Sequence, residues 1–148
     1  MNEKGCLLGL DLGEKRIGVA VSDELRLLAH PVGYILRRGN RQVFDELAKL
    51  IEEHGIQTIV VGLPKTLNND VGTQAEAALA FVGRLSGRFT CKVVTWDERL
   101  TTAQAERALL AQDVSRAKRR QKRDAMAARI ILQSYLDFLK EKDGINNV

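Results

Sequence analysis

The sequence predicts an α/β fold in which a mixed five-stranded sheet carries helices on both faces. Two apolar runs near the N-terminus are separated by a short turn, which is typical of a β-hairpin. Further along the 148-residue chain, β-branched runs alternate with segments of helical periodicity. A hairpin followed by alternating helices and strands requires antiparallel and parallel pairing in one sheet. The pattern therefore argues against an all-parallel, doubly wound sheet.

The first three predicted strands form an antiparallel meander. Residues 6–12 (CLLGLDL) and 16–22 (RIGVAVS) are the two apolar runs of the hairpin. Residues 31–36 supply the third strand, which begins at Pro31 and is followed by a polar stretch. The remaining two strands are the continuous apolar runs at 58–62 and 91–96. Runs of this kind are typical of parallel strands buried on both faces, and we place the run at 58–62 centrally.

Four helices are predicted from apolar residues at helical spacing. The first covers residues 42–54 and is followed by Gly55, a residue suited to a left-handed C-terminal cap. The second covers 73–85, and the third begins at Thr101, whose hydroxyl starts a capping box. The last and longest covers 124–139.

Composition is typical of one globular domain spanning residues 1–148. The chain is 45% hydrophobic and 28% charged, and it has no apolar run near the roughly 20 residues that a membrane-spanning helix needs. Charged residues interrupt the N-terminal segment, which argues against a signal peptide. Cys6 and Cys91 each lie in an apolar stretch without a metal-ligand neighbour, so we interpret both as small core residues. We expect a soluble, cytoplasmic protein that makes no membrane contact and acts as a monomer or homodimer.

Three carboxylates are candidates for a functional role. Asp11 interrupts an apolar strand, where burying an unpaired charge is costly. Glu98 follows a buried strand at its carboxyl end, the edge at which α/β folds commonly bind ligands. Asp124 lies in the first turn of the last predicted helix, where it could simply complement the helix dipole. Together they form an oxygen-only set that suits Mg²⁺ or Mn²⁺ and phosphate chemistry rather than a thiolate zinc site.

A strongly basic segment precedes Asp124. Without it, the chain would carry a net negative charge instead of +4. Such a cluster is typical of a phosphate-binding surface, and a solvated, solubilising segment is the alternative. This segment, the basic run, consists of Arg116, Lys118, Arg119, Arg120, Lys122 and Arg123.

Other polar residues are candidates for contacts with a nucleic acid. Lys15 and Arg16 follow the hairpin turn and could hold phosphates, although an ordinary charged turn is the alternative. Asn68 and Asn69 belong to a loop that leads into a helix N-terminus, where free N–H groups can bind an anion or the loop can be merely structural. Arg99 adjoins Glu98, and it could orient that carboxylate or contact substrate.

Four sequence strings, in order along nearly the whole chain, resemble the YqgF-type proteins, also called the RuvX or Holliday junction resolvase family. The strings are DLGEKRIGVAVSD (11–23), VVGLPKTLNNDVG (60–72), DERLTT (97–102) and DAMAARIILQSYLD (124–137). The resemblance implies a ribonuclease H-like fold. It also implies that Asp11, Glu98 and Asp124 are the catalytic acids and the metal ligands.

The resemblance implies a metal-dependent endonuclease that hydrolyses phosphodiester bonds in structured nucleic acid, with one or two Mg²⁺ or Mn²⁺ ions. It names two substrates, the 5′ end of precursor 16S ribosomal RNA and the four-way DNA junction. We favour rRNA processing, a step of ribosome biogenesis, because no sequence feature requires a symmetric dimer that cuts two strands.

Two other function classes remain open from the sequence. A non-catalytic nucleic-acid-binding protein would use the basic run alone. The first string also resembles the phosphate loop of actin-type ATPases, but that fold needs two such domains and far more than 148 residues.

Overall fold

The computed structural model, which describes residues 5–63, 73–98 and 116–146, contains one five-stranded sheet. In chain order the strands are β1 (Cys6–Leu12), β2 (Arg16–Ser22), β3 (Ala29–Leu36), β4 (Ile56–Leu63) and β5 (Lys92–Asp97). Their order across the sheet is β3-β2-β1-β4-β5. The pairs β1–β2 and β2–β3 are antiparallel, and the pairs β1–β4 and β4–β5 are parallel. The predicted meander with two added parallel strands is confirmed.

Two helices precede the last one in the described part of the chain. α1 (Asn40–His54) begins two residues before its predicted start, because the Gln42 amide donates to the Leu36 carbonyl and organises the first turn. Gly55 ends α1 in the left-handed conformation, with φ of 62°, as predicted. α2 (Thr73–Arg88) extends three residues beyond its predicted end. The helix predicted from Thr101 lies outside the described residues.

The last helix, α3 (Arg116–Asn146), is much longer than predicted. It begins eight residues before Asp124, so the basic run forms its first two turns. Arg and Lys are good helix formers, which outweighs the repulsion between their charges. The prediction that Asp124 lies in the first turn of the helix is therefore wrong, and complementing the helix dipole does not explain this acid.

The helices lie on both faces of the sheet, as predicted, and each face carries its own apolar core. Alternate residues of β1 point to opposite faces, so Leu8 and Leu10 pack with α1 and α2 while Leu7 packs with α3. Trp96 of β5 packs edge-on against Tyr135, with ring centroids 5.4 Å apart, and donates from its indole N–H to Ser134 Oγ. These contacts fix the long helix across the sheet.

Two smaller expectations concern the cysteines and the membrane. Cys6 and Cys91 are free thiols that are half-buried at the margin of the core, and burial raises the pKa of both. No helix in the described ranges combines the length and hydropathy that crossing a bilayer requires.

Candidate active site

Asp11 lies near the end of β1 and is flanked by a glycine on each neighbouring strand. Its Cα partner is Gly18 on antiparallel β2 and Gly62 on parallel β4. Directly paired residues point to the same face of a sheet. Asp11 is therefore bordered on that face by two positions without side chains, which leaves room for groups from elsewhere in the chain.

Glu98 occupies the space beside Gly62. A Cβ at Gly62 would lie 3.1 Å from Glu98 Oε1 and 2.6 Å from Ile131 Cδ1. Because Gly62 pairs with Asp11, the Glu98 carboxylate and Asp11 are neighbours on the same face of the sheet. Both side chains are half-buried.

Asp124 approaches from the other side of Asp11. A Cβ at Gly18 would collide with the backbone carbonyl of Asp124, so α3 rests directly on β2 at this point. The Asp124 carboxylate accepts a hydrogen bond from Arg16, with Nε 2.7 Å from Oδ2, and the Arg16 and Asp124 side chains are 29% and 20% exposed. The Arg16 guanidinium also lies over the Tyr34 ring, 5.9 Å from its centroid.

Asp11 and Glu98 share a pocket of about 250 Å³ at the carboxyl ends of β1 and β5, which we call the acid pocket. Its described lining is Asp11, Leu12, Gly13, Glu14, Arg37, Ala77, Ala78, Phe81 and Glu98. Asp124 is not part of that lining. Within residues 5–63, 73–98 and 116–146, no three His, Cys, Asp or Glu side chains are close enough together to hold a metal ion. The structure thus brings two of the predicted acids together and pairs the third with Arg16.

The structure describes only some of the residues predicted to contact nucleic acid. Lys15 is exposed on the β1–β2 turn, and Arg16 is committed to Asp124. Asn68, Asn69 and Arg99 lie outside the described residues. The backbone of the basic run is helical and forms the first turns of α3.

Arg37 is a site residue that the sequence analysis did not identify. It follows β3 and reaches back to the β1–β2 turn, where Nη1 donates to the Gly13 carbonyl over 2.8 Å. Its guanidinium lies over the Phe81 ring, 5.6 Å from the centroid, in the acid pocket. The sequence contains a weak signal for this position, because a three-stranded meander brings the end of β3 beside the β1–β2 turn.

Comparisons with known proteins identify relatives over most of the chain. The sequence model of the RuvX family, described as Holliday junction resolvase, matches residues 5–138. A Geobacillus kaustophilus protein named "Putative pre-16S rRNA nuclease" is 52% identical over 132 residues, which cover 88% of this chain and 96% of the relative. A Desulfitobacterium hafniense protein of the same name is 46% identical over 140 residues, with 95% and 97% covered.

A solved structure supports the fold independently. The structure titled "T. thermophilus RuvC in complex with Holliday junction substrate" superposes with a TM-score of 0.57. The match covers 90% of this chain and 96% of that chain at 14% sequence identity, so it bears on the fold alone. This likeness confirms the predicted ribonuclease H-like fold. With a family model matched from residue 5 to residue 138 and relatives this similar, the chain belongs to the RuvX family of nucleases.

Proposed function

We propose that this chain is a metal-dependent endonuclease that hydrolyses phosphodiester bonds at the acid pocket. The observation that carries the proposal is the position of Asp11 between Gly18 and Gly62, which lets Glu98 and the backbone of Asp124 close in from both sides. Gathering half-buried carboxylates is unfavourable unless a cation is bound among them. The arrangement therefore favours a catalytic, cation-binding role for these carboxylates over a contribution to folding stability.

The donor set at this edge fits a hard divalent cation. Asp11 and Glu98 offer only oxygen atoms, and the Glu98 carboxylate lies in a space that a Cβ at Gly62 would narrow. Asp11, Glu98 and Asp124 are the residues that would hold one or two Mg²⁺ or Mn²⁺ ions. A bound ion would polarise the phosphate and activate water for the displacement. Arg16 neutralises Asp124 in the free chain and so competes with a cation for this carboxylate.

The other proposed residues position the phosphate backbone of the substrate. Contacts to phosphates set the register of a nucleic acid without reading its bases. The basic run begins about 12 Å along the α3 axis from Asp124, given a rise of about 1.5 Å per residue. Lys15 at the β1–β2 turn is exposed on the same edge of the sheet as Asp11. The remaining proposed contacts are Arg16, Asn68, Asn69 and Arg99.

The substrate that we propose is the 5′ end of precursor 16S rRNA, with a role in ribosome biogenesis. The names of relatives that are 46–52% identical over at least 88% of this chain support it. Four-way DNA junctions are the second candidate, supported by the family description and by the fold shared with RuvC. One active site is enough to process an rRNA end, whereas symmetric junction cleavage needs two. The rRNA proposal therefore accommodates a monomer or a homodimer in the cytoplasm.

The test compares both substrates with one protein preparation. Purified protein and Mg²⁺ are added to a precursor transcript with its 5′ extension and to a synthetic four-way junction, and the products are sized. We expect the precursor to be shortened at its 5′ end, and we expect the same precursor to accumulate in cells depleted of the protein. If the protein cleaves only the junction, four-way DNA replaces precursor rRNA as the proposed substrate. Metal-independent binding of both without cleavage would instead support the non-catalytic alternative.

Variants connect the activity to the acid pocket. Asp11→Asn and Glu98→Gln should each lower the cleavage rate about 100-fold or more, the usual cost of losing a group that stabilises transition-state charge. Asp45→Asn is the matched control, because Asp45 is exposed on α1 and pairs with Arg88 over 3.2 Å. Full activity of Asp11→Asn would contradict the proposed catalytic role.

A further inference from the structure

Arg37 is the one cationic side chain among the described residues that line the acid pocket. We propose that Arg37 binds a phosphate of the nucleic acid strand, next to the phosphate at which the strand is cut. This inference rests on the proposed nuclease function, and it adds a substrate-binding residue to the three acids. Four observations support it: the anchoring of the guanidinium, its unused donors, the charge of the pocket and the distance from Asp11.

The guanidinium of Arg37 is held in a fixed orientation. Its Nη1 donates to the Gly13 carbonyl over 2.8 Å, and its backbone N–H donates to the Lys15 carbonyl over 2.8 Å. The Phe81 ring beneath it is 2% exposed and stacks on Phe44, with centroids 5.3 Å apart and planes inclined by 16°. A side chain held in this way loses little further conformational entropy when it binds a ligand.

Most hydrogen-bond donors of the Arg37 side chain have no acceptor among the described residues. A guanidinium has five N–H donors in a planar fork that matches two oxygens of one phosphate. In the described part of the chain, the Gly13 carbonyl is the acceptor for this side chain, and no carboxylate lies within ion-pair distance of it. Arg37 thus differs from Arg16, whose Nε is already bound to Asp124.

The charge of the pocket makes a cation necessary at this position. Asp11, Glu14 and Glu98 line the same pocket, and together they repel a phosphate backbone. Cations at Asp11 and Glu98 would offset that repulsion only at the phosphate that is cut. A neighbouring phosphate needs a second positive group, and among the described residues of the pocket lining Arg37 supplies it.

The position of Gly13 relative to Asp11 indicates which phosphate Arg37 contacts. Gly13, to which Arg37 is bound, lies two residues beyond Asp11, which corresponds to about 7 Å along an extended chain. From that position the guanidinium reaches a phosphate beside the one near the acids. Because this phosphate does not react, Arg37 binds the substrate equally strongly in the ground state and in the transition state. Loss of the contact therefore raises KM and leaves kcat unchanged.

A purely structural role for Arg37 is the alternative, and the chain contains a matched control for it. Arg88 lies over the Phe89 ring at the same 5.6 Å, but at the opposite end of α2, where it pairs with Asp45. The variants are Arg37→Gln, Arg37→Lys and Arg88→Gln. Arg37→Met keeps the aliphatic packing on Phe81 and replaces Arg37→Gln if near-UV circular dichroism shows that the latter is unfolded.

The first measurement is the affinity for a labelled RNA strand from the 5′ end of precursor 16S rRNA, without divalent ions, over a range of salt concentrations. Arg37→Gln should bind about tenfold more weakly, as expected when one charge-assisted contact is lost. The salt slope should fall by about 0.7, one phosphate contact for a single strand. Arg37→Lys should restore the slope because it restores the charge, and Arg88→Gln should match the parent. In cleavage assays, KM should rise with kcat unchanged.

The second measurement locates the phosphate. Each phosphate of the strand is replaced in turn by a neutral methylphosphonate. At one position, beside the cleaved bond, the replacement should weaken binding to the parent protein about tenfold. The same replacement should not weaken binding to the Arg37→Gln variant any further, because that variant has already lost the contact. Additive losses at every position, or an unchanged salt slope, would overturn the inference. A parent that binds with this pattern but cleaves neither substrate would contradict the nuclease proposal and leave the Arg37 contact standing.

Discussion

The Cα of Gly18 on β2 lies directly beneath the backbone carbonyl of Asp124 on α3, so closely that no side chain fits between them. This contact sets the height of the long helix above the sheet. It also places the backbone of Asp124 above the strand position that pairs with Asp11, because Gly18 and Asp11 are Cα partners. A glycine 106 residues before Asp124 thus determines where that acid can lie.

Gly18→Ala should destabilise the protein. The added methyl would meet backbone rather than a flexible side chain, so α3 would have to move away from β2. Overpacking of this kind costs about 1–3 kcal/mol of unfolding free energy. Urea denaturation followed by far-UV circular dichroism measures it, and a loss below about 0.5 kcal/mol would mean that the helix is not held at this height.

Gly62→Ala should affect activity more than stability. The new methyl would meet the end of the Ile131 side chain and the Glu98 carboxylate, both of which can move by rotation. We expect a loss of unfolding free energy of about 1 kcal/mol or less, together with a large loss of cleavage because Glu98 is displaced. Steady-state cleavage compared with urea denaturation separates the two effects.

The control for both glycines is Gly83→Ala on α2. Apart from the chain next to it in α2, no atom of the described residues lies within 4 Å of a Cβ at Gly83, a solvent-exposed position in the middle of that helix. This variant should be more stable than the parent by about 0.5–1 kcal/mol, because alanine favours the helix. A destabilised Gly83→Ala would show that the other two losses are not specific to the site.

The ion pair between Arg16 and Asp124 should contribute measurably to stability. A double-mutant cycle with Arg16→Gln and Asp124→Asn should give a coupling of about 1 kcal/mol, because the pair is mostly buried and hydrogen-bonded. The same cycle for Arg88 and Asp45, which are 47% and 56% exposed, should give about 0.5 kcal/mol or less. Equal coupling in the two pairs would contradict the structural role of Arg16.

The sequence predicts the sheet well because its strands are defined by local patterns. The bounds of β1 and β2 match their apolar runs, and the glycine after α1 forms the expected left-handed cap. The start of α3 could not be predicted from hydrophobic periodicity. Its first two turns carry mostly charged residues, so they contain no apolar stripe to mark them as a helix.

The candidate site was predictable only in part, for a related reason. Asp11 stands out because it is a charge near the end of the buried strand β1, and Glu98 because it follows an apolar run. The prediction that this second run is buried on both faces is wrong, because β5 is the edge strand of the sheet and is only half-buried. The pairing of Arg16 with Asp124 joins residues 108 positions apart, and no local pattern reports such a contact. Arg37 lies in an ordinary polar stretch, and only the folded meander brings it to the acid pocket.

Asp23 should make the stability of the protein depend on pH in the acid range. Burial opposes its ionisation, but the N–H groups of Leu27 and Leu28, which donate to Oδ1, outweigh burial and lower the pKa of this carboxyl. Its stabilising effect is therefore fully present above the unfolded pKa of about 3.9 and is lost as the pH falls through the lower folded value.

Asp23→Ala should lose about 1 kcal/mol at pH 7, and the difference from the parent should shrink below about pH 4. Urea titrations at several pH values measure this difference. Glu24→Ala is the control, because Glu24 is exposed and accepts no hydrogen bond in the described part of the chain. A difference that grows as the pH falls would contradict the lowered pKa of Asp23.

The basic run should bind phosphates along the first turns of α3. Replacing Lys118, Arg119 and Arg120 together by Gln keeps helix propensity and removes three charges just before Asp124. Each lost phosphate contact lowers the salt slope by about 0.7–0.9, so the triple variant should lose about 2 in slope and bind more weakly to every sequence. Single replacements should be mild, because neighbouring cations can take over a contact, and metal binding should not change.

The control for the triple variant removes Lys49 and Arg84, two exposed cations on the helices of the opposite face. Nucleic acid affinity measured against salt concentration should be lower for the triple variant and unchanged for the control. If both bind and cleave like the parent at every salt concentration, the run is a solvated face of the helix. The substrate would then reach Asp11 through the other proposed contacts, Lys15, Asn68 and Asn69.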